Sequence, residues 1–237
     1  MHDVIVVGGG NAALCAALSA SEFSKRVLVL ERAPQDEAGG NSRFTAGLFR
    51  LAYTGPEDLK TLIPDLSADE IANTDFGTYT EEQFLDDMAR LTEYRCDPDL
   101  TEILVKQSFP TAKWMRQKGV RFTAAWGRQA FKIGGKFKFW GGLTVEAVGG
   151  GPGLVESLTQ IAKKAGIEIW YGARATTCSA CKIPSLMRRR MRWLLTPSAA
   201  AVSDMVSHSP SLCAERYARM SLTMRTELTR TAVHVLP

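Results

Sequence analysis

Between Asp3 and Glu31 the chain reads DVIVVGGGNAALCAALSASEFSKRVLVLE. No other stretch constrains the fold as tightly. Val4 to Val7 form an unbroken β-branched and apolar run, suited to a strand covered on both faces in a parallel sheet. Gly8 permits a tight turn out of that strand, and Gly10 lacks the side chain that would hold a pyrophosphate away from the backbone. Ala13 stands where a third glycine is common and is small enough for close packing of helix on strand. The helix beginning near Asn11 turns a partial positive charge toward a phosphate. Val27 to Leu30 form a second apolar strand, and Glu31, 23 residues after Gly8, falls near the spacing of about 20 expected for an acid that binds a ribose hydroxyl. An acid there disfavours a 2′-phosphate, and hence NADP. An ordinary glycine turn in another α/β protein is the alternative, and it leaves Glu31 without a role.

At 237 residues the chain is long enough to bury a core, as one large domain or two small ones. It has no apolar run long enough to span a bilayer, and Val4 to Val7 lack the basic flank of a secretory signal, so a cytoplasmic protein without a transmembrane segment is expected. Cys15, Cys96, Cys178, Cys181 and Cys213 are odd in number and unevenly spaced, which argues against a disulfide scaffold. Residues 178–237 carry nine Lys/Arg against three Asp/Glu, a surplus larger than the +4 of the whole chain. The basic character therefore belongs to the tail, and no nucleic-acid partner is expected.

Soon after the second strand comes Gly39-Gly40-Asn41-Ser42-Arg43-Phe44-Thr45-Ala46-Gly47. Small and hydroxyl residues at the start of a helical segment suit close approach of a ligand, with Asn41 and Ser42 as donors. A capped helix start is the plainer explanation when the segment is taken alone. Following the dinucleotide unit, it reads as a second wall of one cofactor site.

Together the two motifs resemble the FAD-binding domain of the fumarate reductase and succinate dehydrogenase flavoprotein superfamily. The stretch ERAPQDEAGGNSRFTAGLFRLAY looks most like the FAD-dependent tricarballylate dehydrogenases. The resemblance implies an α/β, Rossmann-like FAD-binding domain with a parallel sheet over residues 1–176. It also implies cofactor contacts from Gly8, Gly10, Asn11, Ala12, Glu31 and Arg32, with Gly40, Asn41, Ser42, Thr45, Ala46 and Gly47 beside the flavin and Ala173 near the adenine. Family members with covalent flavin have a histidine at about the place of Asn41, so FAD is expected here without a covalent link. The implied activity is oxidation of a C–C bond beside a carboxylate in a small polycarboxylate such as tricarballylate, or reduction of the corresponding alkene, with an unknown electron acceptor. The family's catalytic cationic and imidazole groups have no recognisable counterpart, and no catalytic residue is assigned. An inactive fragment binding only the ADP portion of a dinucleotide is the alternative from another functional class. An NAD-linked dehydrogenase is a further competitor, but it has no use for Asn41-Ser42.

Further along, residues 53–80 read as a polar loop with one short helix around Ser67 to Asn73. Thr80-Glu81-Glu82 caps a helix carrying Phe84, Leu85, Met88 and Leu91. Asp97-Pro98 opens another, with Leu100, Ile103, Leu104, Phe109 and Trp114 as its apolar positions, the aromatics in the core and Pro110 as a kink or interruption. FKIGGKFKF at 131–139 signals a hairpin about Gly134-Gly135. Lys132, Lys136 and Lys138 on it suit a solvated face, with a polycarboxylate contact as the alternative. Gly149 to Gly151 lead into a helix bearing Val155, Leu158, Ile161 and Ala162, and either line the cofactor or give a flexible approach. A strand is read at Ile167 to Tyr171, and the resemblance implies that it joins the sheet in parallel beside the second strand.

The resemblance ends near Thr176. All twenty glycines lie at or before Gly172, and none follows in the last 65 residues, where ordinary usage gives about four or five. Residues 177–237 are expected to be an irregular or weakly helical tail, with helix-length apolar patterns near 186–195 and 212–228. A frameshift near codons 175–178 is the hypothesis that accounts for the change in composition. Translating the neighbouring frames of the coding DNA tests it, and absence of a glycine-rich continuation counts against it. A zinc site from Cys178, Cys181, His208 and Cys213 lacks the regular spacing of known modules. Without a later strand beside Val4 to Val7 the sheet is incomplete and the first strand becomes an edge, so weak FAD binding and poor solubility are expected.

Overall fold

In chain order the elements begin with β1 (Val4–Val7), α1 (Asn11–Ser21), β2 (Val27–Leu30), a 3₁₀ turn (Gly40–Phe44) and β3 (Leu48–Phe49). Next come α2 (Pro56–Leu62), α3 (Ala68–Ala72), β4 (Thr74–Asp75), α4 (Glu81–Leu91), α5 (Pro98–Lys118), β5 (Phe122–Ala124) and α6 (Trp126–Gln129). The chain continues through β6 (Ala130–Ile133), β7 (Lys136–Phe139), β8 (Val145–Ala147), α7 (Gly150–Lys164) and β9 (Glu168–Trp170). The computed structural model describes residues 1–176. The readings made for 177–237, including the apolar patterns and the Cys178, Cys181, His208 and Cys213 set, lie outside the described residues. Two units are distinguished, Met1–Asn41 with the stretch from Leu158, and Ser42–Ser157.

The first unit holds a parallel sheet in the order β1-β2-β9, with Val4 opposite Val27 and Leu28 opposite Glu168. The strand expected beside the second one is therefore where the sequence put it. β2 is central, and Val27, Leu28 and Val29 are buried, as a strand covered on both sides requires. α1 packs small residues on this sheet. Ala13, Leu14, Ala16, Ala17, Leu18 and Ala20 are all buried, so helix and strands approach closely. β1 has one strand neighbour among the described residues, and its Ile5 is 49% exposed.

In the second unit β3, β8 and β5 form an antiparallel sheet, and β4, β7 and β6 form a mixed one in which β4 runs parallel to β7 and β6 antiparallel to it. β6 and β7 are the hairpin expected about Gly134-Gly135. Its inner face joins a ring cluster in which Phe76 stacks on Phe139 at 5.4 Å and Trp126 lies 5.3 Å from Phe139. Capping boxes start α3, through Ser67 and Glu70, and α4, through Thr80 and Gln83, satisfying amide groups that a helix start leaves unpaired.

The second unit departs from expectation in α2 and in the buried face of α5, and of the two outcomes expected at Pro110, a kink or an interruption, the interruption does not occur. α2 occupies part of the segment read as loop, because Pro56 sits in the first turn, where a missing N–H costs nothing, and Leu59 and Leu62 are fully buried. α5 runs through Pro110 without interruption. Pro110 and Lys106, whose carbonyl loses its partner, are both exposed, so water substitutes for the missing bond. The buried residues of α5 are Thr101, Val105, Ala112 and Met115, while Phe109 and Trp114 are only half-buried. Restoring an N–H with Pro110→Ala is expected to raise stability by about 1–2 kcal/mol, read as a higher denaturant midpoint. An unchanged or lower midpoint contradicts this.

Candidate functional site

At the end of β1 the Gly8 N–H donates to the Leu30 carbonyl at 2.8 Å, and φ of +108° at Gly8 turns the chain sharply. Gly10 is the N-cap of α1 and the helix begins at Asn11, as expected. No side chain caps this end by a hydrogen bond, and no acid lies in the first turn. Electrostatically it is arranged for an anion. Ala12 lies in the first turn, half-buried. Cys15, one turn on, points its thiol at Asn11 Oδ1 (3.5 Å), and burial pushes that thiol up to about 12, so it stays protonated and is no nucleophile.

Glu31 follows β2 and is 7% exposed. Its Oε1 accepts the Ala33 N–H at 2.8 Å, and its Oε2 rests against the glycine turn. A Cβ on Gly9 would lie 2.7 Å from Oε2, 3.2 Å from Cγ and 3.3 Å from Cβ of Glu31. Gly9, the middle residue of the turn, was not singled out from sequence. What constrains it is a side chain 22 positions later. Ala173 donates its N–H to the Glu31 carbonyl at 2.9 Å, and Gly172 donates to Ala33 at 2.9 Å. Tyr171 was also missed, and burial first and the Glu31 charge second hold its phenol above the ordinary range. Arg32 is exposed beside Glu31. The first unit thus assembles Gly8, Gly10, Asn11, Glu31 and Ala173, with Gly9 and Tyr171 added.

Gly40 and Asn41 are exposed at the start of the 3₁₀ turn, which ends at Phe44 and leads to β3 instead of opening a longer helix. In the second unit Ser42 is buried, Thr45 exposed and Ala46 half-buried. The Thr45 hydroxyl donates to the Ser42 carbonyl (3.0 Å) and accepts the Gly47 N–H (3.2 Å). A separate cleft of about 430 Å³ in this unit is lined by residues that include Asp75, Tyr79, Asp87, Lys138 and Trp140, none of them predicted as cofactor contacts. Lys138 is paired with Asp75 at 3.1 Å, and Lys132 and Lys136 are exposed. Among the described residues no three His, Cys, Asp or Glu side chains are gathered to hold a metal, and no helix is long and apolar enough to cross a membrane.

The first unit fits the ADP part of a dinucleotide, since it combines an uncapped helix start, a turn that a single Cβ would obstruct, and a carboxylate seated against that turn. Comparison with known proteins agrees. The family model described as FAD binding domain matches residues 3–180. The fumarate reductase (cytochrome) of Shewanella frigidimarina is 28% identical over 121 residues, which are 51% of this chain and 18% of that protein. The vinyl phenol reductase of Lactiplantibacillus plantarum is 27% identical over 179 residues, covering 74% of this chain and 30% of its own. The chain therefore spans less than a third of the length of these curated relatives. In fold it is similar to the 3-ketosteroid-Δ4-(5α)-dehydrogenase of Rhodococcus jostii RHA1, with a TM-score of 0.53 and 20% identity over 74% of this chain and 38% of that one. FAD is accordingly its cofactor, and the chain belongs to the FAD binding domain family.

Proposed function

We propose that this chain is the FAD-binding part of an FAD-dependent oxidoreductase whose substrate is a small carboxylate of the tricarballylate or fumarate type. The observation that carries the cofactor half of this reading is the Glu31 carboxylate, buried and seated against Gly9 beside the uncapped start of α1. Gly8, Gly10, Asn11 and Ala12 would hold the pyrophosphate, Glu31 the adenosine ribose, with Arg32 and Ala173 flanking the adenosine. Gly40, Asn41, Ser42, Thr45, Ala46 and Gly47 would stand beside the flavin. Asn41 stands at about the place of the histidine that the resembled family's covalent members carry, which supports FAD held without a covalent link. When bound, the flavin supplies hydride exchange with a substrate carbon. The substrate half of the reading is supported by similarity to a fumarate reductase, and by the resemblance of residues 31–53 to tricarballylate dehydrogenases.

Titration of FAD by calorimetry into the wild type and Glu31→Ala tests the cofactor contacts. Loss of charge-assisted hydrogen bonds to the ribose is expected to weaken binding by about 1–3 kcal/mol. Equal affinities would remove Glu31 from the site. Reduction of an artificial electron acceptor with tricarballylate or succinate then separates a working oxidoreductase from a chain that binds the cofactor without turnover.

A further inference from the structure

Gly149 to Gly151, at the start of α7, had two readings from sequence, cofactor lining or a loose approach to the helix. The structure gives Gly151 a different task. It is buried, and a Cβ placed on it would lie 2.6 Å from the Thr45 carbonyl oxygen and 2.7 Å from Thr45 Oγ1, and would also run into the Ser42 carbonyl. Two of these three obstacles are backbone atoms, which cannot swing aside as a side chain can. The Gly151 N–H is already committed, donating to the Thr45 carbonyl at 3.0 Å. One residue earlier the same contact is made backbone to backbone, since a Cβ on Gly47 would lie 2.6 Å from the Gly150 carbonyl carbon. The Ala147 N–H donates to the Gly47 carbonyl at 2.8 Å, extending the seam toward β8. Thr45 closes it from the other side through the two bonds of its hydroxyl.

We infer that Gly151 is a positioning residue for flavin binding. By presenting no side chain it lets the first turn of α7 clamp the carbonyls of Ser42 and Thr45, and so fixes the backbone from Ser42 to Gly47. This rests on the reading that residues 42–47 stand beside the flavin. It assigns to Thr45 a role in holding the segment's shape, through an interlock made wholly within the Ser42–Ser157 unit.

The test compares two probes, FAD and ADP, bound to the full chain. ADP engages only the groups around Gly8 to Gly10 and Glu31, whereas FAD also needs the clamped segment. Gly151→Ala is expected to weaken FAD at least tenfold while leaving ADP within twofold, and to blur the vibrational structure of the bound flavin's absorption band. Thr45→Val removes the two hydroxyl bonds without adding a backbone clash. It is expected to weaken FAD about three- to tenfold relative to ADP, with recovery in Thr45→Ser, so the inference stays testable if Gly151→Ala does not fold. FAD and ADP affinities that fall together, or do not fall, overturn it. A wild-type chain that binds FAD no more tightly than ADP overturns the placement of residues 42–47 beside the flavin, and this inference with it. A wild-type preference for FAD that both variants preserve overturns this inference alone.

Discussion

Gly9→Val is expected to abolish useful FAD binding while leaving the sheet folded. The added branch enters the space held by Glu31, whose Oε2, Cγ and Cβ lie 2.7, 3.2 and 3.3 Å from where the new Cβ must sit. Glu31 is 7% exposed and anchored by the Ala33 N–H, so its carboxylate cannot retreat without giving up that bond. Two costs then add. Overpacking contributes about 1–3 kcal/mol, and displacement of the carboxylate removes its charged hydrogen bonds to the ligand, about 1.5–3 kcal/mol. A loss of about 3–5 kcal/mol corresponds to roughly a hundredfold to a few thousandfold in the dissociation constant. Calorimetry with FAD, alongside a circular dichroism spectrum to show that the fold persists, measures it. Affinity within tenfold of wild type would mean that Glu31 has room to move, and would count against its part in binding.

The second large effect concerns stability. Gly142 has φ of +71°, and a Cβ there would lie 2.7 Å from two atoms of the Tyr79 ring. Tyr79 is held from several sides. Its N–H and carbonyl pair with Tyr53, its hydroxyl donates to Asp87 Oδ2 at 2.7 Å, and its ring lies 5.4 Å from that of Phe84. Arg50 donates to the same hydroxyl at 3.1 Å and to the Gly141 carbonyl. Gly142→Ala therefore combines left-handed backbone strain with a clash against an immobilised ring, about 2–4 kcal/mol in all. At roughly 2–4 °C per kcal/mol for a chain of this size, Tm falls by about 5–15 °C. A melting curve displaced by less than 2 °C would show that the ring yields.

The features legible in the sequence were those whose cause lies within a few residues. β1, the turn and α1 follow from an apolar run, glycines and small residues in immediate succession, and the cap of α4 at Thr80 is read from the residues beside it. β9 was placed through the resemblance, and its pairing with β2 agrees. Features with a distant cause were not legible. Gly9 is constrained by Glu31 and Gly151 by Ser42 and Thr45, contacts that no spacing rule announces. The segment containing Pro56 was read as loop and Pro110 as a kink or interruption, because each proline was weighed without its place in a helix. The first falls where a helix has no N–H to lose, and the second leaves its orphaned carbonyl in water. Phe109 and Trp114 were assigned to the core by size, yet the face of α5 that is buried carries the smaller Val105 and Ala112.

Past the last paired residue of β9, the amides of Gly172 and Ala173 still reach across to the carbonyls of Ala33 and Glu31. The two connections that leave the sheet at this end are thereby laced together beyond the strands themselves. A fluctuation that frees one must loosen the other, so both amides should exchange their hydrogens with solvent at a common rate, as one cooperative opening. The residue proposed to hold the ribose sits inside that lacing, which makes its position a property of two segments of chain more than 130 residues apart.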